Sequence, residues 1–255
     1  MTRIDRYSLA VVPLEQLFNE ESLGIATGFI WSRNGRFYLV TNWHVITCRR
    51  FPTGENLHCQ GARPNRLRVL FNLGFQQFGK QEHLITIRDD DSCPCWLIHP
   101  NRNVDVAVLP LHYDGNDPIF ALNPINGSED PDLFVGIGMD CFVLGYPFGI
   151  EPPGYPVWKR GSIASEPDLT RMTGDHMLVD TASRPGMSGA PVIVRTWGYH
   201  LFDDGHTEVD EYAHSKLVGI YSGRLAARPM EAQIGMVWGA YLIDEIITGG
   251  RRDED

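Results

Sequence analysis

The chain has 255 residues, 43% of them hydrophobic, with 26 glycines, 17 prolines and a formal net charge of −10. That length supports a substantial core, as one domain or two closely packed halves. The acidic balance argues against a nucleic-acid or anionic-membrane surface, and the basic pairs Arg49-Arg50 and Arg251-Arg252 read as solvated charge.

The opening "MTRIDRYSLAVVPLEQLFNEESLG" carries acids throughout and has no continuous apolar h-region, so it does not read as a secretory signal. No later stretch approaches the roughly 18 apolar residues of a membrane span. A chain opening on Met1 in this way is expected to stay in the cytoplasm. Its five cysteines (48, 59, 93, 95 and 141) fit that compartment, being odd in number and without a disulfide framework.

Strand-like runs then recur at short intervals. "GIATGFIW" (24–31) and "RFYLVTN" (36–42) flank "SRNG", a hairpin turn. His44 follows directly in "YLVTNWHVIT", after one apolar strand and before another apolar pair. Such a histidine is either a satisfied core residue or one held at a strand end for use. Further strands are expected at 66–71 and 83–87. "CPCWLIH" brings Cys93, Cys95 and His99 together, but structural zinc sites favour C-x2–4-C pairs and four ligands, so free thiols in a loop are expected. Asp105 opens the alternating run "DVAVLPL" (105–111). A carboxylate in apolar surroundings is costly unless paired, so Asp105 either caps a turn or awaits a specific partner.

The segment 114–139 is crowded with Gly, Pro, Asn and Asp, and reads as the connection between two β halves, divided as 1–120 and 121–255. Strands resume at 141–146, 161–165, 176–181 and 190–194. Ser188 lies just before the last of these, in "RPGMSGAPV", with Gly186 and Gly189 around it. Glycines there can turn successive N–H groups into one concavity, although Ser and Gly also favour ordinary turns. A strand after the serine argues against the strand-turn-helix of a nucleophile elbow, and so against an esterase of that fold. "GYHLFDDGHTEVDEYAHS" (198–215) holds three histidines and five acids without a tight ligand motif, and reads as an exposed hairpin extension. Strands at 216–222 and 234–238 lead to "YLIDEIITGG", where Leu242, Ile243, Ile246 and Ile247 fall at helical spacing before a glycine stop.

A serine hydroxyl needs a base, a group to orient the base, and donors for an oxyanion. His44, Asp105 and Ser188 occur in the chain order of the chymotrypsin arrangement. "TNWHV", "DVAVL" and "GMSGAPV" resemble the His, Asp and Ser motifs of trypsin-like (chymotrypsin-fold) serine peptidases; "GYPFG", "KRGSIAS" and "LVGIYSG" resemble segments of intracellular or bacterial members. The likeness runs from about residue 24 to 247.

The resemblance implies an all-β fold of two six-stranded antiparallel barrels with the site between them and a short C-terminal helix. It implies a serine endopeptidase with His44 as general base, Asp105 as its orienter and Ser188 as nucleophile. The backbone N–H groups of Gly186 and Ser188 would form the oxyanion hole. Ser222 would either help hold the carboxylate or simply end a strand, and Gly223 would offer backbone bonds to an extended peptide. Ala182 would stand at the floor of the specificity pocket, Gly235 would keep it open, and Arg224 would lie at its wall, pointing inward or outward. A small, apolar or acidic P1 residue follows. Met187 stands where trypsin-like zymogens carry Asp, which removes the usual activation salt bridge and leaves gating by a regulatory protein partner as an expectation. The expected partner is a protein or peptide substrate, with no cofactor, metal, nucleic acid or membrane. The competing reading is a catalytically silent module that binds extended peptides.

Overall fold

In the computed structural model, the structure describes residues 4–73, 79–112, 122–128, 130–149, 154–225 and 233–254. The expected boundary between residues 120 and 121 lies outside them.

The chain opens with α1 (Arg6–Ala10), capped by Asp5, whose carboxylate accepts from the Tyr7 N–H at 2.9 Å. β1 (Val11–Phe18), β2 (Glu21–Arg33) and β3 (Arg36–Thr41) form an antiparallel meander. The β2–β3 turn passes through Asn34 and Gly35 at φ of 52° and 73°, the two positive values a two-residue primed turn demands. α2 (Trp43–Thr47), β4 (Arg66–Asn72), β5 (Lys80–Thr86), β6 (Leu97–Ile98) and β7 (Ala107–Leu111) complete this half. The second half contains β8 (Asp140–Gly145), β9 (Val157–Ile163), α3 (Pro167–Thr173), β10 (Met177–Asp180), β11 (Pro191–Leu201), β12 (Thr207–Arg224) and β13 (Ile234–Gly239). α4 (Tyr241–Gly249) and β14 (Arg251–Arg252) end the chain.

The second sheet has the six expected strands and closes as a barrel in the order β10-β13-β12-β11-β8-β9. The first runs to eight, β14-β6-β7-β3-β2-β1-β4-β5, because the short β6 and the returning β14 extend it beyond β7. β1 is a central strand despite Pro13. Its pairing with β4 begins only at Leu14, so the missing proline N–H falls where that ladder has ended.

Apolar side chains fill the inside of each sheet, Val69, Trp96 and Leu109 in the first and Val143, Val179 and Val192 in the second. A third cluster joins them through Phe29, Leu144, Ile193 and Trp238. α4 docks here through Leu242, Ile243 and Ile246, the face read from the sequence.

The three other helices were not expected. With five or seven residues each, they are too short to display two turns of apolar periodicity. The basic pair at 49–50 also departs from expectation: Arg49 is buried, and only Arg50 is solvated.

Candidate active site

His44 sits on α2, not at a strand end. The helix begins at Asn42, whose side chain does not cap it; the amide instead donates to the Asp105 carbonyl at 2.8 Å, tying α2 to the start of β7. Asp105 is completely buried. Its Oδ1 accepts the His44 backbone N–H at 2.9 Å, its Oδ2 lies 2.6 Å from His44 Nδ1, and the buried Ser222 hydroxyl also donates to Oδ2. Three donors converging on one carboxylate compensate its desolvation and fix its position. With Nδ1–H committed to Asp105, the other imidazole nitrogen is the acceptor tautomer. Thus residues 61 positions apart in sequence meet, and Ser222, 117 positions from Asp105, joins them from β12.

Ser188 occupies the turn between β10 and β11. It and His44 line one cavity of about 200 Å³, together with Gln16, Ile25 and His58. No hydrogen bond joins the Ser188 hydroxyl to His44 among the described residues. Such contacts commonly tighten only around substrate. Gly223 passes directly beside the serine, since a Cβ placed on it would lie 3.9 Å from Ser188 Oγ.

Two peptide planes set the turn's N–H groups. The Pro185 carbonyl accepts from the Phe148 N–H at 2.8 Å, and the Met187 carbonyl accepts from the Ala190 N–H at 3.1 Å. A planar trans peptide aims its N–H opposite its carbonyl. These bonds therefore orient the Gly186 and Ser188 N–H groups, neither of which donates to a partner among the described residues. Between them, the Gly186 carbonyl accepts from the Thr27 hydroxyl at 2.7 Å, and that hydroxyl accepts from the Tyr146 N–H at 3.1 Å. The Thr27 N–H donates to the Ser188 carbonyl at 2.9 Å.

Both glycines are sterically required. Gly186 has φ +91° and a Cβ there would sit 2.3 Å from the Tyr146 oxygen; Gly189 has φ +85° and a Cβ would sit 2.1 Å from the Thr27 oxygen. Met187 is buried in the second barrel with Val143, Ala190 and Val192.

At the expected specificity pocket, Ala182 is half-buried just after β10. Gly235 does not leave the open space expected of it. A Cβ there would lie 2.3 Å from a ring carbon of Tyr221, so the tyrosine occupies that space. Tyr221 is 1% exposed, and burial raises its phenol above the ordinary range. Arg224 is exposed at the end of β12, near enough for its charge to act on that phenol.

Thr27, Thr41, Asn42 and Tyr221 were not singled out from the sequence. The available signal was polar residues inside apolar runs: Thr27 in "GIATGFIW", and Thr41 and Asn42 just before His44. Thr41 donates to the Thr27 carbonyl at 2.9 Å.

The sequence profile of the Trypsin-like peptidase domain matches residues 26–198. The chain is 27% identical over 175 residues to Protease Do-like 8, chloroplastic, of Arabidopsis thaliana, covering 67% of this chain and 32% of that protein. It is also 27% identical over 132 residues to Protease Do-like 5, chloroplastic, of the same plant, covering 50% of this chain and 31% of that protein. The chain thus spans about a third of the length of these curated relatives. In fold, it resembles a protease from M. tuberculosis in its active form, with a TM-score of 0.53 at 18% identity over 98% of this chain and 85% of the other. A serine endoprotease from Yersinia pestis aligns with a TM-score of 0.51 at 18% identity, covering 95% of this chain and 62% of that one. No described helix is long and apolar enough to cross a membrane.

Proposed function

The chain belongs to the trypsin-like peptidase domain family, and from that premise we propose that it is a serine endopeptidase acting through a Ser188 acyl-enzyme. The observation that carries this reading is the buried Asp105 carboxylate, 2.6 Å from His44 Nδ1, with the imidazole lining the cavity that Ser188 also lines. In this reading Ser188 Oγ attacks the scissile carbonyl while His44 Nε2 takes its proton. Asp105 stabilises the resulting imidazolium and does not itself become protonated. The oxyanion is received by the Gly186 and Ser188 N–H groups, pre-aimed by their neighbouring carbonyl bonds. His44 then returns the proton to the leaving amine, and water hydrolyses the ester by the same base.

An extended substrate would pair with the backbone around Gly223, adding a strand beside the nucleophile. Because Tyr221 occupies the space beside Gly235, the reading takes a small P1 residue over a large one. The buried Met187 supports a mode of control other than an N-terminal salt bridge, and we assign that control to a regulatory protein partner.

Labelling with a fluorophosphonate probe tests the proposal. The wild-type chain reacts once per molecule, while Ser188→Ala and His44→Ala lose labelling. A folded wild-type chain that never reacts, alone or with candidate partners, overturns the catalytic reading and leaves a peptide-binding module.

A further inference from the structure

The hairpin of β11 and β12 carries a second constellation, independent of the peptidase reading. Its ladder breaks where Trp197 faces Ala213 and Tyr199 faces Val209, leaving Gly198 alone opposite residues 210–212. Gly198 has φ of +73°, as such a bulge requires. The extra residues turn Asp210 across the hairpin, where its Oδ1 accepts the Tyr212 N–H at 2.7 Å.

His200 is completely buried, and its Nδ1 lies 2.7 Å from Thr196 Oγ1, which fixes the ring. Its buried Nε2 stands 3.3 Å from Asp210 Oδ1 and makes no well-aligned hydrogen bond among the described residues. His214 Nε2 lies 3.0 Å from Asp210 Oδ2, and the two imidazoles stack with centroids 4.0 Å apart. Among the described residues, these three form the group whose ligand atoms all lie within 4.8 Å of one another. The nearby His206 is engaged by Asp204 and Glu208 instead.

A buried imidazole nitrogen aimed at a carboxylate without a well-aligned hydrogen bond is costly. A cation that takes the Nε2 lone pairs of both rings and an oxygen of the carboxylate supplies the missing partner. Metal bonds of about 2.0–2.1 Å in a tetrahedron put neighbouring ligand atoms about 3.3 Å apart. Each ring nitrogen lies near that distance from one oxygen of the carboxylate, His200 Nε2 3.3 Å from Oδ1 and His214 Nε2 3.0 Å from Oδ2. The hydrogen bond from Thr196 to the far nitrogen of His200 supplies the outer support that ligating histidines usually have.

We propose that His200, Asp210 and His214 bind a divalent transition-metal ion, zinc first, which staples β11 to β12 across the bulge. The sequence reading placed no metal here because the ligands are spaced by ten and four residues and meet only through the bulge. Asp210 and His214 are 32% and 21% exposed, so the ion has a route in and a fourth position for water.

The full chain is stripped with a chelator, dialysed and titrated with zinc chloride by calorimetry and thermal melting, and with cobalt(II) by visible absorption. One equivalent binds, the cobalt form shows tetrahedral absorption bands, and at about 100-fold excess over Kd the midpoint rises by about 5–10 °C. Asp210→Asn and His214→Gln each keep the apo fold and weaken binding by at least about 10-fold. Absence of saturable binding by the wild type overturns the proposal. So does wild-type affinity in both variants, which would place the ion elsewhere, for instance at His44 and His58.

Discussion

Replacing Thr27 by Val is the sharpest test of how the Ser188 turn is held. The side chain is fully buried and nearly the same shape as valine, so the change opens no cavity. It does remove the hydroxyl that donates to the Gly186 carbonyl at 2.7 Å and accepts from the Tyr146 N–H at 3.1 Å. One acceptor and one donor are then stranded in the interior. Each costs about 1–3 kcal/mol, giving about 2–6 kcal/mol in all. For a chain of this size, that lowers Tm by at least about 4 °C. Because the stranded carbonyl lies between the two oriented N–H groups, the rate of fluorophosphonate labelling falls as well. Thr27→Ser keeps the hydroxyl and loses one methyl, costing about 1 kcal/mol, and labels much closer to the wild-type rate. A Thr27→Val protein that melts within about 1 °C of wild type and labels equally fast would refute the assignment.

Asp253→Ala removes the acceptor for the Trp43 indole at 2.7 Å and the Trp96 indole at 3.3 Å, costing about 1.5–3 kcal/mol for the stronger bond. Thermal melting reads this loss, and slower labelling follows because Trp43 precedes His44. Tyr221→Val empties the space beside Gly235, so a peptide-library profile shifts towards larger apolar P1 residues; an unchanged profile contradicts the pocket proposed. Burial, followed by the Asp140 charge, pushes the Cys141 thiol up to about 12 from 9.0. In the unfolded chain the thiol ionises near 9.0, so its contribution to stability is complete below that pH and is lost as pH rises towards about 12. Denaturant midpoints measured across that window decline for the wild type, and Cys141→Ala flattens the decline.

Much of the β architecture was legible because it is local. The Asn34-Gly35 turn, the apolar run of β7 and the apolar face of α4 each follow from a few neighbouring residues. The convergence of His44 and Asp105 was legible only as a question, since each alone fits a structural reading. What answers it spatially is long-range: the Asn42 amide reaching the Asp105 carbonyl and the Ser222 hydroxyl arriving from the other sheet. β1 was missed because Pro13 and two polar positions interrupt its pattern, and their tolerance depends on where the β4 ladder stops. Gly235 was misread for a related reason. A glycine marks room for something, and sequence does not say whether substrate or Tyr221 takes it.

The tail bond to Trp43 also has a meaning in time. Residues 251–252 add the outer strand next to β6, and Asp253 anchors the indole beside His44. A chain emerging from the ribosome can pair β1 to β3 long before this support exists. The indole that precedes His44 therefore gains this anchor only after residue 253 has been made and has folded back. The order of synthesis thus makes this corner of the first sheet among the last to be tied down.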